Sequence, residues 1–373
     1  MTGGSSPRIY LSTGEPSGDL HGGAVVRALR RRFPAAMVEA TGGPEVAAAG
    51  AIVRYGIDGC SVMGAAEVVR AVPHHLRLLA DLHRRFSERR YDLVVLVDYP
   101  GFHLRVARTA ASFGIPVLYY IAPQLWAWGA HRAPALRRAT RALAVILPFE
   151  ESFFRRHGLP ATFVGHPLLD RPPAPPDAVA RARTGSGPNA PVLGIFPGSR
   201  SREVQRHWPV FRDAARRVRQ VVPGIHLVVA AVPGAEYPES AGFTVYRGAS
   251  ADVFAAADAA LCKSGTTTLE AALANVPMAI AYRMHPWSFA LARRLAKVSH
   301  IGLVNLVAGR VVAPEFVQQE ANPWNLARAV LPLLDGGARA ARDQRAAFAE
   351  VRERLGSPGA GERVADLAEA LVA

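Results

Sequence analysis

Cysteine is almost missing from this chain: Cys60 and Cys262 are the only two in 373 residues. Two thiols that far apart make neither a disulfide framework nor a metal cluster, so both read as buried thiols in a reducing compartment. Lysine is equally scarce. Lys263 and Lys297 are the only two among 44 basic residues, so the surplus over 30 acidic residues, a formal charge of +14, is carried by arginine. No apolar run approaches the ~18 residues that span a bilayer. The opening MTGGSSPRIYLSTGE holds no long apolar stretch before a cleavage site, so it is not read as a secretory signal. The chain is expected in the cytoplasm, with any membrane contact peripheral. Clustered basic stretches and nucleic-acid module signatures are lacking too, which sets nucleic acid aside as the partner of the positive charge. Phosphorylated substrates and an acidic membrane face remain, beside the plainer reading of a solvated, arginine-rich surface.

What is present is an alternation. Short apolar runs recur at Arg8–Ser12, Met37–Ala40, Leu93–Val97, Val117–Ile121 and Ala142–Leu147, and helically spaced segments such as Leu20–Phe33, Pro73–Arg89 and Gly101–Phe113 lie between them. Strands alternating with helices at this rhythm imply βαβ units and a mainly parallel sheet. Residues 171–190, rich in Pro, Ala and Gly, have no apolar period and read as a linker. The alternation restarts with Val192–Phe196, Ile225–Ala231, Phe243–Val245, Ala259–Cys262 and Met278–Ala281. The expected class is α/β, two Rossmann-like domains facing a cleft. The first spans 1–170 and the second 191–345, and a helical segment over 346–373 is expected to pack back on the first. Ligands of such sheets bind outside the carboxyl ends of the strands, so the residues that follow each strand matter most.

Four strand-end motifs stand out. GEPSGDLHGG, Gly14 to Gly23, follows the first strand; its glycines permit close backbone approach, Asp19 is placed to cap the next helix, and His21 is an acid or base candidate. Asp98 ends the strongly apolar VVLVD, where partial desolvation adjusts basicity; capping the following helix is its competing role. His103 reads as a satisfied helix-surface residue. FPGSRSREV offers backbone N–H groups at Gly198 and Ser199 and the guanidinium of Arg200 to a phosphate. KSGTTTLEAAL brings Ser264, Gly265 and Thr266 to a helix start suited to a pyrophosphate, with Glu270 one turn in as an acceptor for ribose hydroxyls. It lacks the GKS/T of a Walker motif.

With these motifs in hand, the chain resembles the lipid-A-disaccharide synthase family. IYLSTGEPSGDLHGG, SVMGAAEVV, VDYPGFHLRVA, PQLWAW, GHPLLD, PGSRSREV, SGTTTLEAAL and NLVAGRVVAPEFVQQ occur in order along almost its whole length. The resemblance implies the GT-B architecture and an inverting transfer of diacylglucosamine from UDP-2,3-diacylglucosamine to 2,3-diacylglucosamine 1-phosphate (lipid X). The products are the β-1,6 disaccharide 1-phosphate and UDP. It further implies a peripheral enzyme on the cytoplasmic face of a Gram-negative inner membrane, with room for a homodimer. Asp98, Arg200 and Glu270 match the family pattern. Asn305 joins the donor side, and Glu15, Ser17, Gly18 and Asp19 form the first loop on the acceptor side. The departures are Pro16, Gly101, His103 and Lys263; Gly101 and His103 stand where the family usually has Asp and Asn.

The chemistry needs one base and stabilisation of a leaving diphosphate. Asp98 is assigned as base, with His21 second, and Arg200 with the Ser264–Thr266 helix start takes the developing charge, so neither metal nor cofactor is expected. Two amphipathic basic stretches offer membrane or acyl contact. In Val62–Leu79 the contact residues are Val68, Val69, Val72 and Leu76, with Pro73 expected to break or kink the helix; the other stretch is Pro286–Val298. An ordinary core-facing helix competes for both. The functional alternatives are a peptidoglycan-precursor transferase, a UDP-N-acetylglucosamine epimerase, or a non-catalytic sugar-nucleotide sensor.

Overall fold

Every residue of Leu93–Val97 (LVVLV) and Val192–Phe196 (VLGIF) is buried. A strand apolar on both sides has to be covered on both sides, the environment of a parallel sheet between helices. A computed structural model of the chain describes residues 6–57, 65–285, 289 and 299–372, with the backbone alone for 65–71, and contains two such sheets. Two compact units result, residues 1–170 with 355–373, and residues 171–354.

In the first unit the strands are β1 (Arg8–Ser12), β2 (Met37–Thr41), β3 (Ile52–Tyr55), β4 (Leu93–Val97), β5 (Val117–Tyr120), β6 (Ala142–Val145) and β7 (Ala161–Phe163). They pair in the order β3-β2-β1-β4-β5-β6-β7, all parallel. Alternate residues of β4 enter different cores. Val94 and Leu96 pack with Tyr10, Phe86 and Tyr119, while Leu93, Val95 and Val97 pack with Ile9, Val26 and Leu29. In the second unit β8 (Val192–Phe196), β9 (His226–Ala230), β10 (Thr244–Tyr246), β11 (Ala259–Lys263), β12 (Met278–Tyr282) and β13 (Glu315–Val317) pair in the order β10-β9-β8-β11-β12-β13, again all parallel.

Three strands escaped the sequence pattern: β3, β7 and β13. Each lies at a sheet edge, paired with a neighbour on one side only, and each is short, incompletely buried and without a long apolar run. Residues 171–190 are not a bare linker. They contain the helix Asp177–Thr184, which buries Ala180, Arg181 and Thr184. Arg181 bonds Asp177 within the helix through Nε (2.7 Å) and seats the helix through Nη1 to the Ala190 carbonyl (2.7 Å) and Nη2 to Asp258 (3.3 Å). A helix anchored by guanidinium bonds shows no apolar period. The tail also divides later than position 346. Arg339–Arg354 stays with the second unit, where Gln344 grips both backbone groups of Met278 (2.9 and 3.1 Å), and the first unit resumes at Leu355.

The helix Ala360–Val372 packs on Pro16–Arg32, with Gly361 lying close against the Ala24 backbone and Val364, Ala365 and Ala368 buried. Asp170 receives the N–H groups of Gly359 and Ala360 (3.1 Å for the latter), capping this helix across 190 residues of sequence. Asp170→Ala is expected to lower unfolding free energy by about 1 kcal/mol, the usual worth of a cap. Glu362→Ala, which removes an exposed partner of Arg31, is expected to cost less than about 0.5 kcal/mol. Urea titration of both variants checks the order; equal midpoints for Asp170→Ala and the wild type would remove the cap from the account.

Candidate active site

Within each unit two of the four motifs occupy one place. In the first sheet the winding reverses between β1 and β4, and in the second between β8 and β11. Such switch points open a crevice outside the carboxyl ends of the strands. Gly14 and Asp98 follow β1 and β4; Gly198–Arg200 and Ser264–Thr266 follow β8 and β11.

Asp98 and Tyr99 are consecutive non-glycine residues in the left-handed region, at φ 52° and 51°. Such conformations cost about 1–3 kcal/mol each and persist only where surroundings impose them. Here the surroundings are specific. The Asp98 N–H donates to the Tyr120 carbonyl (2.9 Å), and the Asp98 carbonyl accepts from the Tyr119 hydroxyl (2.7 Å) and from Nδ1 of His103 (2.7 Å). A carbonyl only accepts, so Nδ1 carries the His103 proton and Nε2 accepts from the Ser12 hydroxyl (2.9 Å). His103 is fully buried, and burial pushes its pKa down to about 4, which keeps the ring neutral. It is therefore no helix-surface residue. The Tyr99 ring lies over Gly14, where a Cβ would come within 2.3 Å of ring carbons, so glycine is required at 14. Tyr99, not Asp98, holds the N-cap position of the helix Pro100–Ser112, and its side chain makes no cap bond. A Cβ at Gly101 would meet open space.

Elsewhere in the first loop, Glu15 precedes the helix Pro16–Arg32 without capping it, and Pro16 sits in its first turn, where a missing N–H costs nothing. Ser17 is exposed and Gly18 buried. Asp19 caps a different helix from the one expected. Buried, it accepts from the N–H groups of Gly43 (2.6 Å), Glu45 (2.9 Å) and Val46 (3.4 Å) at the start of Pro44–Ala48. His21 is half-buried, its ring edge-on to Tyr120 with centroids 6.5 Å apart.

In the second unit the structure revises several donor-side expectations. The Ser199 N–H donates to Glu203 (3.0 Å), whose side chain tucks under Gly198 (φ 144°), so that N–H is engaged within the loop. Lys263 bonds the other Glu203 oxygen (2.7 Å), so its charge is neutralised inside the protein. Burial raises the Glu203 pKa, but the charge and hydrogen bond of Lys263 outweigh it and hold the carboxyl below its ordinary value. His207 donates Nδ1–H to the Glu203 carbonyl (2.8 Å) and accepts the Arg283 N–H at Nε2 (2.9 Å); burial pushes it to about 4. The Ser264 hydroxyl donates to the Ile301 carbonyl (2.7 Å). Arg200 and Thr266 are exposed, Gly265 turns at φ 147°, and Glu270 pairs with Arg171. Asn305 is 0% exposed and structural, not a donor contact. Its Oδ1 accepts from Val312 (2.8 Å) and Ala313 (3.0 Å), and its Nδ2 donates to Ala313 (2.8 Å) and Glu315 (2.7 Å).

Sequence reasoning missed the supporting residues Ser12, Tyr119, Glu203 and Glu315. Glu203 carried a signal, an acid in the first turn of a helix; Glu315 carried none, because its partners Ile301, Gly302 and Asn305 lie ten or more residues away. Also missed was Glu150, buried after β6, bonded by Trp126 Nε1 (2.9 Å) and raised by burial to about 7.

The helix Ala65–Ser87 runs through Pro73 without ending. Leu78, Leu82 and Phe86 are buried, while Val72 and Leu76, one turn apart, are 44% and 60% exposed. The side chains of Val68 and Val69, Cys60, and the stretch 286–298 apart from Phe289 lie outside the described residues. Among the described residues no helix is long and apolar enough to cross a membrane. Cys262 is buried on β11, its thiol pKa raised by burial.

A sequence model of the lipid-A-disaccharide synthetase family matches residues 9–364. The chain is 40% identical to the lipid-A-disaccharide synthase of Anaeromyxobacter sp. (strain K), over 97% of each chain. Among solved structures it is similar to the calicheamicin glycosyltransferase CalG4, with a TM-score of 0.60 at 19% identity over 99% of both chains. It is also similar to the Methanocaldococcus jannaschii UDP-GlcNAc 2-epimerase in complex with UDP-GlcNAc and UDP, with a TM-score of 0.60 at 12% identity over 97% of this chain and 99% of that one. The two parallel sheets and these likenesses give the GT-B fold. With the family motifs at the switch points of both sheets, the chain belongs to the lipid-A-disaccharide synthetase family.

Proposed function

We propose a division of labour for the glycosyl transfer that family membership assigns to this chain, formation of the lipid A disaccharide. The donor is UDP-2,3-diacylglucosamine and the acceptor 2,3-diacylglucosamine 1-phosphate. The acceptor 6-hydroxyl attacks the anomeric carbon from the face opposite UDP, so configuration inverts. Asp98 removes the hydroxyl proton, with His21 the second candidate. The observation that carries this assignment is the left-handed, doubly hydrogen-bonded peptide at Asp98, since strain held in place at a strand end marks a functional residue.

On the donor side, Arg200 and the backbone N–H groups of Gly265 and Thr266 meet the diphosphate as negative charge grows on it. Ser199 and Ser264 hold the two turns in shape through Glu203 and Ile301. Oε1 of Glu270 pairs with Arg171, and Oε2 is the proposed acceptor for ribose hydroxyls. No metal takes part. The membrane face includes Val72 and Leu76, with Val68 and Val69 in the same stretch; paired exposure of two large apolar residues on a helix whose other side is buried supports this. The cytoplasmic face of the inner membrane is the proposed location.

Incubation with both lipid substrates is expected to release UDP and form a disaccharide; UDP-sugar isomerisation or hydrolysis without disaccharide would favour the epimerase alternative. Asp98→Asn is expected to lose about 10²–10⁴ in turnover with UDP affinity nearly intact. Retention of more than about a tenth of the rate would place the base elsewhere.

Arg200→Ala is expected to lower kcat chiefly, and Glu270→Ala to raise the donor KM, because diphosphate charge develops in the transition state whereas ribose contacts exist already in the ground state. Wild-type turnover should survive EDTA. A magnesium requirement, or equal donor affinity in wild type and Glu270→Ala, would contradict the respective assignment.

Binding to anionic vesicles is expected to weaken but persist in high salt, since charge attraction is screened over about 8 Å whereas apolar insertion is not. Val72→Ser with Leu76→Ser should reduce the salt-resistant part. Co-sedimentation at low and high salt reads this; identical behaviour of the double variant and wild type would leave this helix face without a membrane role.

A further inference from the structure

Asp98 reaches its conformation through its main chain. Two donors converge on its carbonyl, the Tyr119 hydroxyl and His103 Nδ1–H, both at 2.7 Å. Both are buried, and both keep the proton they donate. Burial raises the Tyr119 pKa well above the usual phenol value. Burial lowers that of His103 and keeps the ring neutral, with its one proton on Nδ1 because the Asp98 carbonyl only accepts, while Nε2 accepts from Ser12 (2.9 Å). We propose that His103 is a positioning residue for the Asp98 base, holding the left-handed Asp98–Tyr99 turn that directs the carboxylate. This rests on the reading of Asp98 as base.

The geometry also shows what an asparagine would do at 103. Nδ1 of histidine and Nδ2 of asparagine lie the same number of bonds from Cα, so either presents a donor at the Asp98 carbonyl. Only the imidazole extends further, to the Ser12 hydroxyl. A leucine at 103 matches asparagine in size and branching but donates nothing. The pair His103→Asn and His103→Leu therefore leaves nearly the same cavity and differs in one hydrogen bond.

His103→Leu is expected to lose about 10- to 100-fold in kcat, the scale of a reacting group displaced by about 1 Å, with donor and acceptor KM little changed. His103→Asn should stay within about threefold of wild type, since it restores the donor at the same position. Tyr119→Phe removes the second donor without a cavity and should lower kcat by a smaller factor, about three- to tenfold. Circular dichroism and melting report the fold of each variant; should the leucine variant fail to fold, Tyr119→Phe and the asparagine rescue decide. If Asp98→Asn is inactive while His103→Leu and Tyr119→Phe turn over like wild type, His103 has no positioning role. Loss of kcat in His103→Asn equal to that in His103→Leu overturns it as well. If Asp98→Asn itself keeps its rate, the reading of Asp98 as base has failed.

Discussion

Parallel pairing is the constraint from which the rest of this molecule follows. When all strands of a sheet run one way, every strand ends on the same edge, and the loops that leave those ends are gathered whether or not they are near in sequence. Gly14 and Asp98 are 84 positions apart, yet they leave the neighbouring strands β1 and β4; Arg200 and Ser264 leave the neighbouring strands β8 and β11. In both cases the pair sits where the winding reverses, so the helices that follow diverge and the strand ends stay accessible. The apolar bulk of β4 and β8 supplies the rigidity on which the polar residues just beyond them are held.

Buried polar residues in both units act mainly on backbone. Asp19 holds three N–H groups of the Pro44–Ala48 region, Asn305 bonds Val312 and Ala313, Gln344 grips Met278, and His103 and His207 each bridge a main-chain carbonyl to a second group. Loops that must adopt one shape cannot rely on ladder hydrogen bonds, and a buried N–H or carbonyl left unpaired is costly. Side chains that accept from N–H groups, donate to carbonyls or do both solve both problems. Two of the departures from the family pattern fit this scheme: His103 keeps a donor at the Asp98 carbonyl, and Lys263 is neutralised by Glu203, which in turn shapes the Gly198–Ser199 turn. Pro16 fits too, by standing in a first helical turn.

The sequence by itself determined the class, the order of most elements and the four strand-end motifs, because these follow from local pattern. LVVLV and VLGIF announce buried parallel strands, and a glycine-rich turn or an aspartate at their ends announces the loops. Edge strands β3, β7 and β13 were not legible, being short and incompletely buried, nor was the helix Asp177–Thr184, which arginine rather than an apolar stripe holds in place. Only tertiary structure decided which polar side chains are engaged within the protein. Ser264 and Asn305 look like ligand-binding residues in sequence but point their polar atoms at Ile301, Val312, Ala313 and Glu315. His103 looks like a surface residue until Ser12 and Tyr119 are brought beside it by strands from either side of Asp98. The reason is range: a residue's pattern reports its own helix or strand, whereas its hydrogen-bond partner is chosen by the packing of elements far apart in the chain.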